Sequence, residues 1–147
     1  MTLPDDFREF LLCLNARDVR FLVVGGHAVS FHGYPRFTHD VDVVVLPDEP
    51  NANALLVALS DFGFKEVALQ ASDFLEATTV VLGRAPDQID IMTFIKGVDL
   101  PGAWERREPG VLDGVDVSFI SKQDLIANKL AVARPEDLAD VARLSGG

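Results

Sequence analysis

The sequence predicts an α/β or α+β fold, a mixed β-sheet flanked by helices and built as one domain over 1–147. Three observations carry that prediction. Segments with helical spacing of apolar residues alternate with short β-branched runs along the chain. Nearly half of the 147 residues (48%) are hydrophobic, which supplies a packed core. No repeat, low-complexity run or linker divides the chain.

An opening helix is expected over Pro4–Ala16, where Phe7, Phe10, Leu11 and Leu14 follow the i, i+3, i+4, i+7 pattern. Arg20–Val24 reads as a first strand stopped by Gly25-Gly26, and 27–33 as a short helix ended by Gly33 and Pro35. Val41–Leu46 is a second strand. Asn51–Phe62 is a helix with Leu55, Leu56 and Leu59 as its apolar stripe and Gly63 as its stop. Strands follow over Phe64–Leu69, Thr78–Leu82 and Gln88–Ile95, with a turn at Gly83–Asp87. Gly97–Gly114, rich in Gly, Pro and charge, reads as a loop. Val115–Ile120 is a strand, Ser121 caps a helix carrying Leu125, Ile126 and Leu130, and Pro135 starts a last helix to Leu144.

The charge balance is 13 basic against 23 acidic residues, a formal −10. That argues against broad, sequence-independent nucleic-acid binding, which requires phosphate neutralisation. A local basic groove could still be drawn from Arg36, Arg84, Arg106, Arg107, Lys129 and Arg134. The lone cysteine, Cys13, excludes an intrachain disulfide framework or a cysteine-ligated zinc site. The opening MTLPDDFREF is no signal peptide, and no run reaches the ~20 apolar residues of a membrane span. A cytoplasmic protein is expected.

Chemistry concentrates in residues 25–45, GGHAVSFHGYPRFTHDVDVVV. Asp40 and Asp42, two apart at the head of a strand, project from one face with their α-carbons about 6.5–7 Å apart. Val41, Val43 and Val45 take the other face. A third carboxylate, Asp90, sits in the apolar strand QIDIM. Three aspartates brought together repel by several kcal/mol per pair at an effective dielectric of about 20. A divalent cation, or a retained proton, relieves that cost. Oxygen donors favour Mg²⁺ or Mn²⁺, and two ions about 3.5–4 Å apart suit phosphoryl transfer. Asp40, Asp42 and Asp90 are therefore the expected metal ligands, with Asp90 placed to help deprotonate an attacking hydroxyl. Gly25 and Gly26 let backbone N–H groups approach a triphosphate, and His27, Ser30 or Arg36 could add donors. The His39-Asp40 pair does not suit a phosphohydrolase of the HD type, because it runs straight into a strand and no histidine follows it. Trp104, in GAWERRE, either stacks on a base or covers the sheet edge.

Apolar-Gly-Gly, then Asp-Val-Asp-Val, then an apolar-Asp-apolar strand resembles the signature of DNA polymerase beta-type nucleotidyltransferases. Within that superfamily the chain resembles minimal bacterial AbiEii-like enzymes, with Arg36 and Thr38 before the aspartates. The tail VDVSFISKQDLIANKLAVARPEDLADVARL resembles their closing helices, with Lys129 and Arg134 at motif positions. The resemblance implies a nucleotidyltransferase core over about 20–120, closing helices over about 121–144, Mg²⁺ dependence and NTP (ATP among them) as donor. It implies catalytic roles for Asp40, Asp42, Asp90 and Lys129, the lysine facing the site and contacting phosphate or acceptor. It also points to toxin–antitoxin or phage-defence biology, with tRNA or a partner protein as acceptor and a cognate toxin or antitoxin as partner. AbiEii-type toxins are longer, so a core without a separate acceptor-binding domain is expected, and a homodimer could complete the acceptor cleft. A non-catalytic, antitoxin-like interaction module and a small-molecule (antibiotic) nucleotidyltransferase are the competing readings.

Overall fold

The computed structural model describes residues 5–35, 38, 40–64, 69–84 and 87–146. Among them six strands form one mixed sheet in the order β3-β4-β2-β1-β6-β5. Its centre is β1 (Phe21–Val24) beside β2 (Val41–Val45), paired antiparallel with Val24 opposite Asp42. All four β1 residues are buried, as expected of a strand covered on both faces. On one flank β2 runs parallel to β4 (Asp87–Met92), which pairs antiparallel with the edge strand β3 (Thr79–Arg84). On the other flank β1 runs parallel to β6 (Val115–Phe119), which pairs antiparallel with the edge strand β5 (Glu108–Leu112).

Helix α1 (Asp5–Ala16) buries Phe7, Phe10, Leu11 and Leu14, the four positions its spacing marks, and packs on α3 (Glu49–Phe62) and β6. Asp48 caps α3 by accepting the Asn51 N–H at 3.0 Å, with Pro50 in the first turn, so the helix starts earlier than its apolar stripe. Gly63 ends α3 at φ +97, a left-handed C-cap. Helix α2 (Gly25–Phe31) packs on β1 and β2. Helix α5 (Lys122–Val132) is capped by Ser121, which accepts the Asp124 N–H at 3.1 Å, and packs on α6 (Pro135–Leu144). None of the described helices is long and apolar enough to cross a membrane.

The segment expected as a loop, Gly97–Gly114, contains two elements. Helix α4 (Leu100–Glu105) is nucleated by Asp99, which accepts the Gly102 N–H at 3.2 Å, with Pro101 in its first turn. It is then clamped to α5 by Arg106, whose guanidinium donates two hydrogen bonds to buried Asp124 at 3.0 and 2.9 Å. Strand β5 turns into β6 through Asp113 and Gly114, both at positive φ (48° and 79°), a tight hairpin turn. Three other boundaries move. The strand expected at Phe64–Leu69 has neither Phe64 nor Leu69 in strand conformation, and 65–68 lie outside the described residues. The turn expected at Gly83–Asp87 narrows, because β3 and β4 pair out to Arg84 and Asp87. The strand expected to reach Ile95 stops at Met92. There Thr93 is buried, its Oγ1 donating to the Glu76 carbonyl at 2.5 Å and accepting the Thr78 N–H at 2.9 Å. Pro4 also lies outside the described residues.

Buried Asn51 fastens α3 to the sheet. Its Oδ1 accepts the Arg20 N–H at 2.7 Å, and its Nδ2 donates to the carbonyls of Arg20 and Leu46 at 2.9 Å each. Those carbonyls keep other partners, the N–H groups of Leu46 and Asp48, so the Arg20 N–H depends most on Asn51. Asn51→Ala should therefore cost about 1–3 kcal/mol, read as a lower denaturant midpoint at unchanged slope.

Candidate active site

Parallel pairing of β2 with β4 sets Asp42 directly opposite Asp90, so the register alone brings two carboxylates together. Burial, then the neighbouring Asp90 carboxyl and the charges of Asp90 and Asp40, push the Asp42 carboxyl up to about 7, while Lys129 pulls it down. The pair lines a cavity of about 320 Å³ shared with Gly25, Asn128, Lys129 and Arg134. A larger cavity of about 430 Å³, lined by Asn15, Arg20, Trp104 and Asp116, contains none of these groups.

Glycine at 25 is a steric requirement. Gly25 has φ +68, and a Cβ there would lie 2.1 Å from Asp42 Oδ2. The two glycines form the first turn of α2 itself, one step earlier than a turn leading into it. At Gly26 a Cβ would stand 2.9 Å from Thr38 Cβ and Oγ1, so Thr38 packs against bare backbone. The carboxylate pair and the α2 start are thus in van der Waals reach only because no side chain intervenes.

The other expected site residues are distributed as follows. Asp40 stands just before β2, close enough to raise Asp42, but its Oδ1 accepts the Gln88 N–H at 3.3 Å. Gln88 also donates through Nε2 to Asp90 Oδ1 at 3.0 Å. Sequence reasoning passed over Gln88, although it shares a strand face with Asp90 two residues on. Lys129 faces the cavity from α5, with Nζ 2.9 Å from Asp140 Oδ2 and 3.6 Å from Asp137 Oδ1. Arg134 is an N-cap: its Nε donates to Asp137 Oδ2 at 2.7 Å, and the same oxygen accepts its backbone N–H at 3.1 Å.

His27 is turned inward and is only 4% exposed. Its Nε2 has no hydrogen-bond partner among the described residues, and burial pushes its pKa down while the nearby backbone of Asp40 opposes that shift. As placed it offers a phosphate no donor; it braces the chain at Asp40. Half-buried Ser30 lines a separate cavity of about 200 Å³ with His27, Phe31, Val111 and Phe119. His32 caps α2, with Nε2 2.8 Å from the Ile120 carbonyl oxygen. Trp104 is partly buried against the core with the Arg107 guanidinium 4.0 Å from its ring centroid. Arg36 and His39 lie outside the described residues, as does the Arg84 side chain.

Among the described residues, no three His, Cys, Asp or Glu side chains converge into a group that could hold a metal ion. The Asp40 carboxylate accepts the Gln88 backbone N–H at 3.3 Å. The Asp42–Asp90 pair nonetheless fits a hard cation. Its donors are all oxygen, and burial beside two other acids raises the Asp42 carboxyl, a cost that a bound cation would relieve.

The elevated Asp42 group has a definite sign. Its folded pKa lies above its unfolded value of 3.8, so its contribution to stability is complete below about 4 and lost as pH rises through about 7. In metal-free buffer, wild type should lose stability over that window while Asp42→Asn follows a flatter profile. Thermal melts of both from pH 4 to 8 test this; parallel profiles would remove Asp42 as the titrating group. Gly25→Ala should lower the melting temperature and displace Asp42, from the combined contact and φ penalty.

The fold has close counterparts. The crystal structure of TM1012 from Thermotoga maritima, a proposed nucleotidyltransferase, superposes with TM-score 0.64 at 19% identity, over 97% of this chain and 94% of that one. The solution structure of the antibiotic-resistance factor ANT(2'')-Ia gives TM-score 0.57 at 13% identity, over 96% and 80%. Its crystal structure with adenylyl-2''-tobramycin gives 0.55 at 13%, over 95% and 84%. No curated protein sequence matches the chain. At these identities the structures establish the fold. Residues 2–145 match the family model described as nucleotidyltransferase of unknown function, DUF6036, and the chain belongs to that family.

Proposed function

We propose that this protein is a minimal, AbiEii-like, metal-dependent nucleotidyltransferase. It moves a nucleoside monophosphate from an NTP to a hydroxyl of a tRNA or a partner protein, in a cytoplasmic toxin–antitoxin or phage-defence setting. The observation that carries this reading is the Asp42–Asp90 pair, set against the bare backbone of Gly25 in the cavity that Lys129 faces.

Asp42 and Asp90 would hold Mg²⁺ or Mn²⁺, and Asp40 would join them at a second ion only by turning its carboxylate away from the Gln88 N–H. When bound, such ions screen the phosphate charges and polarise the reacting oxygens. The remaining work belongs to the chain. The amides at the start of α2 receive phosphate oxygens where a side chain would block them. Lys129 pairs with a phosphate. The acceptor oxygen attacks the α-phosphorus, the bond to the bridging oxygen breaks, and pyrophosphate departs. Asp90 takes the hydroxyl proton. A second copy of the chain could complete the acceptor cleft.

A small-molecule acceptor is the second reading, favoured by the superposition on ANT(2'')-Ia, whose crystal structure contains adenylyl-2''-tobramycin. The formal charge of −10 suits a cationic acceptor better than a polyanion unaided by a partner.

Purified protein incubated with each α-labelled NTP, Mg²⁺ or Mn²⁺, and either tobramycin or an extract of its source cells separates these readings. Label should appear on one RNA or protein band with wild type, and Asp42→Ala should lower it by about a hundredfold or more while the fold persists. Label on tobramycin alone would replace the macromolecular acceptor. Comparable labelling by Asp42→Ala would sink the mechanism, and no label under any condition would favour a non-catalytic interaction module.

A further inference from the structure

Lys129 is an unusual cation because it is almost wholly enclosed. Its side chain is 11% exposed, and the carboxylates of Asp140 and Asp137 that flank it are 3% and 4% exposed. The two acids stand three apart on α6, on one helix face that meets α5. Asp140 Oδ2 forms the closer ion pair with Nζ at 2.9 Å, and Asp137 Oδ1 the looser one at 3.6 Å. An ammonium has three N–H donors, so donors remain for a ligand in the cavity that Lys129 shares with Asp42 and Asp90. Each acid also has an arginine of its own. Arg134 binds Asp137 at 2.7 Å, and Arg143 lies 3.6 Å from Asp140. The pull on Lys129 is therefore shared and its charge is not cancelled by a single dedicated partner.

We propose that Asp140, assisted by Asp137, is a positioning residue that holds the Lys129 ammonium toward the Asp42–Asp90 pair for a nucleotide phosphate. The inference rests on the nucleotidyltransferase reading above and adds what orients its lysine. A free lysine surrenders much side-chain entropy when it is ordered. Two buried carboxylates meet that cost during folding, leaving less to be lost when nucleotide binds.

The test is a double-mutant cycle on binding of α,β-methylene-ATP with Mg²⁺, measured by calorimetry, for wild type, Lys129→Ala, Asp140→Asn and the double variant. Lys129→Ala should weaken binding about tenfold, as expected for loss of a charge-assisted hydrogen bond, and Asp140→Asn by a smaller but clear factor. The double variant should bind as Lys129→Ala does, because Asp140 acts only through the lysine. Asp140→Glu should restore most of the loss. If Asp140→Asn does not fold, Asp140→Glu carries the cycle, and any loss it causes should vanish in the Lys129→Ala background. A lower melting temperature with unchanged affinity, or two losses that multiply, would overturn the positioning role alone. Folded wild type that binds no nucleotide would bring down the nucleotidyltransferase reading and this inference together.

Discussion

The site depends on one constraint, the register between β2 and β4. Parallel pairing puts Asp42 against Asp90, and a one-residue slip would put a valine or an isoleucine there and turn the acids away. The register is secured by what surrounds the acids. Val41, Val43, Ile89 and Ile91 are buried, so sliding either strand would also drive carboxylates into the core. The fold thus holds together two groups that disfavour each other's ionisation, using apolar burial on the opposite face to do it.

Everything near the pair follows from that choice. Val24 lies opposite Asp42, so the residue after it reaches the carboxylate, and only glycine fits there. Starting α2 at that glycine turns His27 inward, where it meets the backbone of Asp40. Gln88 then links Asp40 to Asp90 across the strand start, one amide to each. From the far wall, α5 and α6 supply positive charge that is itself confined by buried acids. Such networks add little net stability compared with apolar packing, since desolvation offsets attraction. Their place beside a polar cavity is better explained by geometry at the site than by stability of the helix pair.

Much of this was legible in the sequence because it rests on local rules. The apolar spacing in α1, the caps at Ser121 and Pro135, and the Gly-Gly and Asp-x-Asp pattern all mark their positions without tertiary information. The stretch 97–114 was misread because its composition is loop-like, while its structure is decided by partners. Arg106 reaches Asp124, and β5 forms because β6 lies beside it. A signal was present: VLDGVDV places Asp-Gly between alternating apolar residues, a strong hairpin pattern. No comparable signal exists for Gln88 bridging two aspartates, for His27 turning inward, or for Asp140 meeting Lys129 across a helix boundary. Each depends on which strands or helices become neighbours.

The same geometry bears on how a chain with formal charge −10 could receive a triphosphate. Arg134 is committed to Asp137, Arg106 to Asp124, and Lys129 is shared between two acids. These side chains present no open basic groove of the kind that neutralises a polyanion. On the proposed reading, the described residues that would supply positive potential in the cavity are the α2 backbone amides and the remaining donors of Lys129, with a cation held between Asp42 and Asp90. Such a site would admit a nucleotide together with its metal far more readily than a bare phosphate chain. The acids that repel each other in the free protein would then be the means by which triphosphate and cation are taken up as one unit.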